Sequence, residues 1–141
     1  MGTVRSILVK KGNTVHAVDA DMTVYDALEK LEDLHIGALL VLDKGHYVGI
    51  FTERDYARKV ILKGRASKET VVRDIMDLHP TLHPDTSVEE VMNIMINKHF
   101  RHFPVLENGE LIGVISIGDV VKHIIDEKQF IIENLEHYIT S

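Results

Sequence analysis

The strongest constraint in this chain is an internal repeat with no insertion or deletion. Laying Val15 to Asp55 over His79 to Asp119, a shift of 64 residues, pairs Asp21 with Asp85, Thr23 with Ser87, Val24 with Val88 and His35 with His99. Further along it pairs Val41 with Val105, Gly45 with Gly109, Gly49 with Gly113 and Asp55 with Asp119. Only eight of the 41 aligned positions are identical. The register, however, also keeps the apolar pattern, the glycines and the closing carboxylate in place, which chance alignment does not do. A chain of 141 residues is one compact folding unit, whereas a half of about 60 residues is marginal alone. The repeats are therefore expected to share a core.

Within each half the pattern reads strand, helix, strand, strand, helix. Val15 to Val18 alternates like a short strand, and Asp21 to Thr23 can cap a helix whose apolar positions are Val24, Ala27, Leu28, Leu31 and Leu34. His35-Ile36-Gly37 is expected to end that helix, with Gly37 able to take a conformation, or a close approach, that a larger residue resists. Ala38 to Leu42 and Tyr47 to Phe51 read as strands joined by a tight turn at Asp43 to His46. Thr52 then caps a helix with Asp55 in its first turn, where a carboxylate suits the helix dipole. The second half repeats this with Ser87 as cap, strands at Phe103 to Leu106 and Leu111 to Ile115, and Ser116 and Asp119 at the last turn. Upstream, Val4 to Val9 reads as a helical turn or an edge strand, and its Val4 to Leu8 matches Val72 to Met76 at a shift of 68, which places the one spacing change near Lys10 to Asn13. The repeats are assigned to residues 1–66 and 67–126. Residues 127–141 form a helical extension whose apolar stripe is inferred to pack across a dimer interface, against the alternative of folding onto its own monomer.

Composition excludes several classes. There is no cysteine, hence no disulfide framework and no thiolate site. No apolar run approaches the ~20 residues needed to span a bilayer, and the amino terminus lacks a signal-peptide pattern, so no membrane insertion and a cytoplasmic location are expected. A net charge of −6 argues against nucleic-acid binding. The nine histidines are scattered: His35, His99, His102 and His123 offer no paired-ligand spacing, and Pro80 and Pro84 spoil any helical pairing of His79 with His83. No GxSxG elbow, Walker pattern or GxGxxG is present. No enzymatic activity and no metal are expected.

The closing pattern G-h-x-[ST]-x-x-D at Gly49 to Asp55 and Gly113 to Asp119, with h apolar, invites a ligand. An ionised carboxylate accepts from both hydroxyls of a ribose, and Asp55 and Asp119 are the candidates. Each equally suits a helix start. Thr52 and Ser116 suit a phosphate oxygen beside free helix N–H groups, or a plain cap. Arg54 adds a rigid multiple donor for phosphate, but Gly118 stands at its repeat position, so the two sites differ.

With its DxTVxxAL-type helix entry at Asp21 to Leu28, a glycine-containing turn between the paired strands, and the closing pattern in both halves, the chain resembles the cystathionine-beta-synthase (CBS) domain family. The match is to a stand-alone tandem pair carrying IGALLV, TERDYARK, RHFPV and ISIGDVV. The resemblance implies an α/β (α+β) fold of two β-α-β-β-α repeats packed sheet to sheet with pseudo-two-fold symmetry, leaving two clefts, and a disc-like homodimer. It implies adenosine ligands: AMP or ATP, with ADP, S-adenosylmethionine and NAD(H) as alternatives. By the same resemblance Arg101 and His102 are phosphate ligands in the cleft closed by Ser116 and Asp119, with Ile36 and Gly37 on the adenine side. The mirror cleft uses Thr52, Arg54 and Asp55 with Phe100 and Arg101 across it, and Asp77 and the Lys11 to Val15 turn lie where adenine-edge contacts arise. The expected role is a regulatory sensor of energy or redox state acting on an unidentified partner protein. The alternatives are a constitutive dimeric scaffold stabilised by nucleotide, or an NAD(H) sensor using Arg54 and Arg58.

Overall fold

The computed structural model describes residues 2–140. Helix α1 (Val4–Lys11) is followed by β1 (Ala17–Asp19), α2 (Val24–Leu34), β2 (Ala38–Asp43), β3 (His46–Thr52) and α3 (Glu53–Lys59). Short 3-10 turns then lead to α4 (Val88–Lys98), β4 (His102–Glu107), β5 (Glu110–Ser116) and α5 (Ile117–Thr140). The expected β-α-β-β-α order is present twice, with one reduction. β1 pairs in parallel with β2 through Val18 and Val41, but in the second repeat only a single parallel bridge between Leu82 and Val105 stands in its place. Pro80 and Pro84 flank that bridge and remove the donors a longer ladder needs.

In place of the single folding unit with a shared core that was expected, the chain divides into two compact units with a core each, one of them discontinuous in sequence. Residues 15–80 form one, and residues 1–14 join 81–141 to form the other. In the first unit Val18, Val24, Ala27, Leu31, Leu39, Val41, Phe51, Val72 and Ile75 make the core. In the second, Val4, Ile7 and Leu8 of α1 pack with Val88, Val91, Phe103, Val105, Ile115 and Val120. The segment read as helical turn or edge strand is thus an amphipathic helix in α1, while its repeat mate is the 3-10 turn Val72–Asp74.

Local chemistry explains the repeated geometry. Thr23 accepts from Asp26 N–H and Ser87 from Glu90 N–H, starting α2 and α4. Both helices end on a histidine in the left-handed region, His35 (φ 54°) and His99 (φ 60°). That placement corrects the expectation for Gly37, which has no positive φ and open space around its α-carbon. The hairpins turn on Lys44-Gly45 and Asn108-Gly109, all four with positive φ, as a type I′ connection requires. Each hairpin carries a bulge beside its strand glycine, where the register shifts between Val41 and Leu42 and again between Val105 and Leu106.

Those strand glycines mark close approach. A β-carbon on Gly49 would meet the Met76 sulfur at 2.9 Å, and one on Gly113 would meet Leu8 Cδ2 at 2.7 Å. Met76 and Leu8 are repeat mates at the shift of 68, so each unit closes the same way. Gly113→Ala is expected to lower stability by about 1–3 kcal/mol through overpacking. Gly37→Ala is expected to be neutral or to stabilise by up to about 1 kcal/mol, both read from urea unfolding. A destabilising Gly37→Ala would reverse the assignment of backbone constraint to His35.

Candidate functional site: two strand-to-helix turns that hold a carboxylate

In each unit the last strand runs into the following helix with no intervening loop, so one residue ends the ladder and caps the helix. Ala38 lies opposite Thr52, and His102 opposite Ser116. The Glu53 N–H donates to Gly37 O (3.2 Å) and the Ile117 N–H to Arg101 O (2.9 Å). Strand entry and helix start are thereby fastened side by side. Of the expected site residues, one unit brings together Gly37, Thr52, Arg54 and Asp55 in this way. The other brings together Arg101, His102, Ser116 and Asp119. Ile36 and Phe100 are half-buried and pack on the cores of their own units. Arg54 and Arg101 are exposed and make no ion pair among the described residues.

The carboxylates are built in reciprocally. Thr52 N–H (2.9 Å) and Oγ1 (3.0 Å) donate to Asp55 Oδ2, while Asp55 N–H donates back to Thr52 Oγ1 (3.1 Å). Ser116 N–H donates to Asp119 Oδ2 (2.8 Å) and Asp119 N–H to Ser116 Oγ (3.1 Å). This capping box satisfies two helix-start donors at once.

Two lysines complete these turns, Lys59 outside the expected set and Lys11 at the start of the turn expected to make adenine-edge contacts. Lys59 Nζ lies 2.7 Å from Asp77, 3.5 Å from Asp55 Oδ1 and 3.0 Å from Ile75 O. Lys11 Nζ lies 2.6 Å from Asp119 Oδ2 and 2.7 Å from Val114 O. Val114 is the repeat mate of Ile50, whose carbonyl accepts the backbone N–H of Asp77 at 3.1 Å. An ammonium in one unit thus occupies the role of a backbone bridge in the other. The repeat shifts also reveal an exchange: Lys59 aligns with His123, and Lys11 with His79. Each unit carries one lysine and one buried histidine in opposite places.

Electrostatically the two turns diverge. Burial pushes the Asp55 carboxyl above its ordinary value, and the Thr52 bonds with the more distant Lys59 offset this only partly. Burial acts the same way on Asp119, but the Lys11 ammonium and the Ser116 N–H outweigh it and hold that carboxyl below the ordinary range. Asp77 is also held low, since Lys59 outweighs its burial. Beside Asp119 lies a cavity of about 420 Å³ lined by Ile7, Lys10, Lys11, Lys122, His123 and Asp126. Beside Asp77 lies one of about 520 Å³ lined by Arg58, Lys59, Leu62 and Lys63. Among the described residues no group of three or more histidine, aspartate or glutamate side chains is arranged to hold a metal ion.

The family model for the CBS domain matches residues 4–62 and again residues 72–126. The chain belongs to the CBS-domain family. It is 37% identical over 147 residues to the CBS domain-containing protein CBSX3, mitochondrial, of Arabidopsis thaliana, covering 97% of this chain and 71% of that protein. A protein with CBS domains from Burkholderia ambifaria MC40-6 superposes with a TM-score of 0.83 at 46% identity, covering 88% of this chain and 94% of that one. The CBS-domain containing protein ATU1752 of Agrobacterium tumefaciens gives 0.81 at 40%, covering 86% and 98%. CBS domains generally act as nucleotide-sensing regulatory modules and are not catalytic. No helix among the described residues is long and apolar enough to cross a membrane.

Because the Asp119 carboxyl is held below its unfolded value, its ionised form stabilises the fold above the ordinary carboxylate range. That contribution is lost as pH falls through the lowered folded value. Lys11→Met is expected to cost about 1 kcal/mol at neutral pH, the half-exposed pair being partly screened. The difference from the parent should shrink as pH drops below about 4. Urea unfolding across that range tests this, and a loss independent of pH would assign it to packing of the lysine stem instead.

Proposed function

We propose that this CBS-domain chain is a regulatory module whose Asp55 and Asp119 each take the ribose of an adenosine nucleotide, AMP or ATP, and that occupancy alters the behaviour of a partner protein. The observation that carries this reading is the duplicated carboxylate, fixed at the same point of both units by a strand-end hydroxyl residue. An adenylate presents two adjacent hydroxyl donors on its sugar, and a carboxylate already ordered by its own backbone loses little freedom in accepting them. At Asp119 both bonds from the protein fall on Oδ2, which leaves Oδ1 to meet the diol. Cations for the phosphates are at hand. Arg54 and Arg101 stand exposed beside the helix starts, and the lysines lining the two cavities add to them. Regulation then requires that nucleotide favour one conformational state of the module over another, since equal affinity for both shifts nothing.

Calorimetry on ligand-stripped protein tests the reading. Asp119→Ala and Asp55→Ala are each expected to weaken AMP or ATP by about tenfold to a hundredfold at the affected site, the worth of a charge-assisted bond. Arg101→Ala should weaken AMP more than adenosine. On lowering the pH from 7, the Asp55 site is expected to fail before the Asp119 site, because the former carboxyl is held high and the latter low. Absence of binding at millimolar nucleotide would overturn the proposal.

A further inference from the structure

From α3 onward the chain runs into a stretch whose charge departs from that of everything else. Residues 56–68 carry five of the 16 lysines and arginines and none of the 22 carboxylates, a net charge of +5 in a chain whose remainder carries −11. The fold does not demand these cations. At the shift of 64, Arg58, Lys59, Lys63, Arg65 and Lys68 fall on Lys122, His123, Glu127, Gln129 and Ile132, and that counterpart stretch, residues 120–132, is neutral. Arg58 and Lys63 are exposed and make no ion pair among the described residues. Arg65 meets Asp74 only at 3.8 Å.

Two apolar side chains stand among these charges. After the buried Val60 comes the 3-10 turn Ile61–Lys63, where Ile61 is 55% and Leu62 75% exposed. The turn is closed tightly, since the N–H groups of Lys63 and Arg65 both donate to Val60 O and Gly64 N–H donates to Ile61 O. Arg58, Lys59, Leu62 and Lys63 line one hollow of about 520 Å³, so cations and apolar surface make a single patch. We propose that this patch, from Arg58 to Lys68, rests the chain on the surface of a bilayer that bears anionic lipid headgroups. The apolar pair selects this occupant among anionic ones. Nucleic acid offers nothing to an exposed isoleucine and leucine. Tyr56 packs on the core and the Lys68 ammonium lies 4.7 Å over the Tyr25 ring, so this stretch presents no ring for a base to stack on. A headgroup layer takes both features at once: its phosphates meet the cations while two short apolar side chains reach the acyl boundary between them. The same surface repels the −11 carried elsewhere, which confines contact to this patch. The contact stays interfacial, because no helix among the described residues is long and apolar enough to cross a membrane.

Co-sedimentation with vesicles tests this, run without nucleotide so that the outcome is independent of the nucleotide reading. Vesicles of equal parts phosphatidylglycerol and phosphatidylcholine are expected to bind the protein at about 50 mM salt and at least about tenfold more weakly at about 0.5 M, where surface charge is screened. Vesicles of phosphatidylcholine alone should not bind it. Arg65→Glu combined with Lys68→Glu should weaken binding by at least about twentyfold, at about fivefold for each cation lost, with circular dichroism and urea unfolding those of the parent. Ile61→Ser combined with Leu62→Ser should weaken it by about tenfold and leave the salt dependence as it was. No binding to the anionic vesicles, equal binding to phosphatidylcholine alone, or the absence of a loss in either paired variant would each overturn the proposal. Tighter binding of soluble poly-glutamate than of the anionic vesicles would also overturn it, and would assign the patch to an acidic protein segment.

Discussion

Each unit depends on one carboxylate that turns a strand into a helix without a loop. A strand end leaves an N–H with no ladder partner, and a helix start leaves several more. Asp55 and Asp119 resolve both shortages, each accepting from the strand-end residue while returning its own N–H to that residue's hydroxyl. With no slack between β3 and α3, or between β5 and α5, the strand register alone fixes where each helix begins. Gly37 O and Arg101 O then receive the first helix donors. The geometry that the proposed ligand would meet is therefore a by-product of how the fold closes, and it costs no further ordering.

Much of this was legible in the chain because its causes are local. The helix caps Thr23 and Ser87, the hairpins at Gly45 and Gly109, and the closing carboxylates all act within four residues of their targets. What escaped was set at long range. Lys11 and Asp119 are 108 residues apart, and no periodicity or spacing announces that contact. Lys59 sits four residues beyond Asp55 on one helical face, so its approach could have been read from the helix alone. The amphipathic character of α1 spans barely two turns, too few to separate a helix from an edge strand. Gly37 misled because a glycine after a helix is the usual left-handed residue, whereas here the preceding histidine takes that conformation. Gly49 and Gly113 were visible as repeated glycines, but their reason is the side chain lying across each, supplied by a segment far along or back along the chain.

The repeat preserves closure and lets electrostatics drift. Exchange of lysine and histidine between the helix position (59 and 123) and the entering segment (11 and 79) keeps one ammonium near each carboxylate but changes which oxygen it serves. Lys11 sits at hydrogen-bond distance from the very oxygen used by the cap, while Lys59 sits closer to Asp77 than to Asp55. The consequence is one carboxyl held low and one held high from the same backbone plan. Such divergence needs no change in fold, since an ammonium on a flexible stem can reach a fixed point from more than one origin. In the proposed ligand role, two carboxylates that share a geometry but not a proton affinity would answer different concentrations, or different charge states, of one kind of ligand. A duplication left electrostatically identical would have offered only two equal sites.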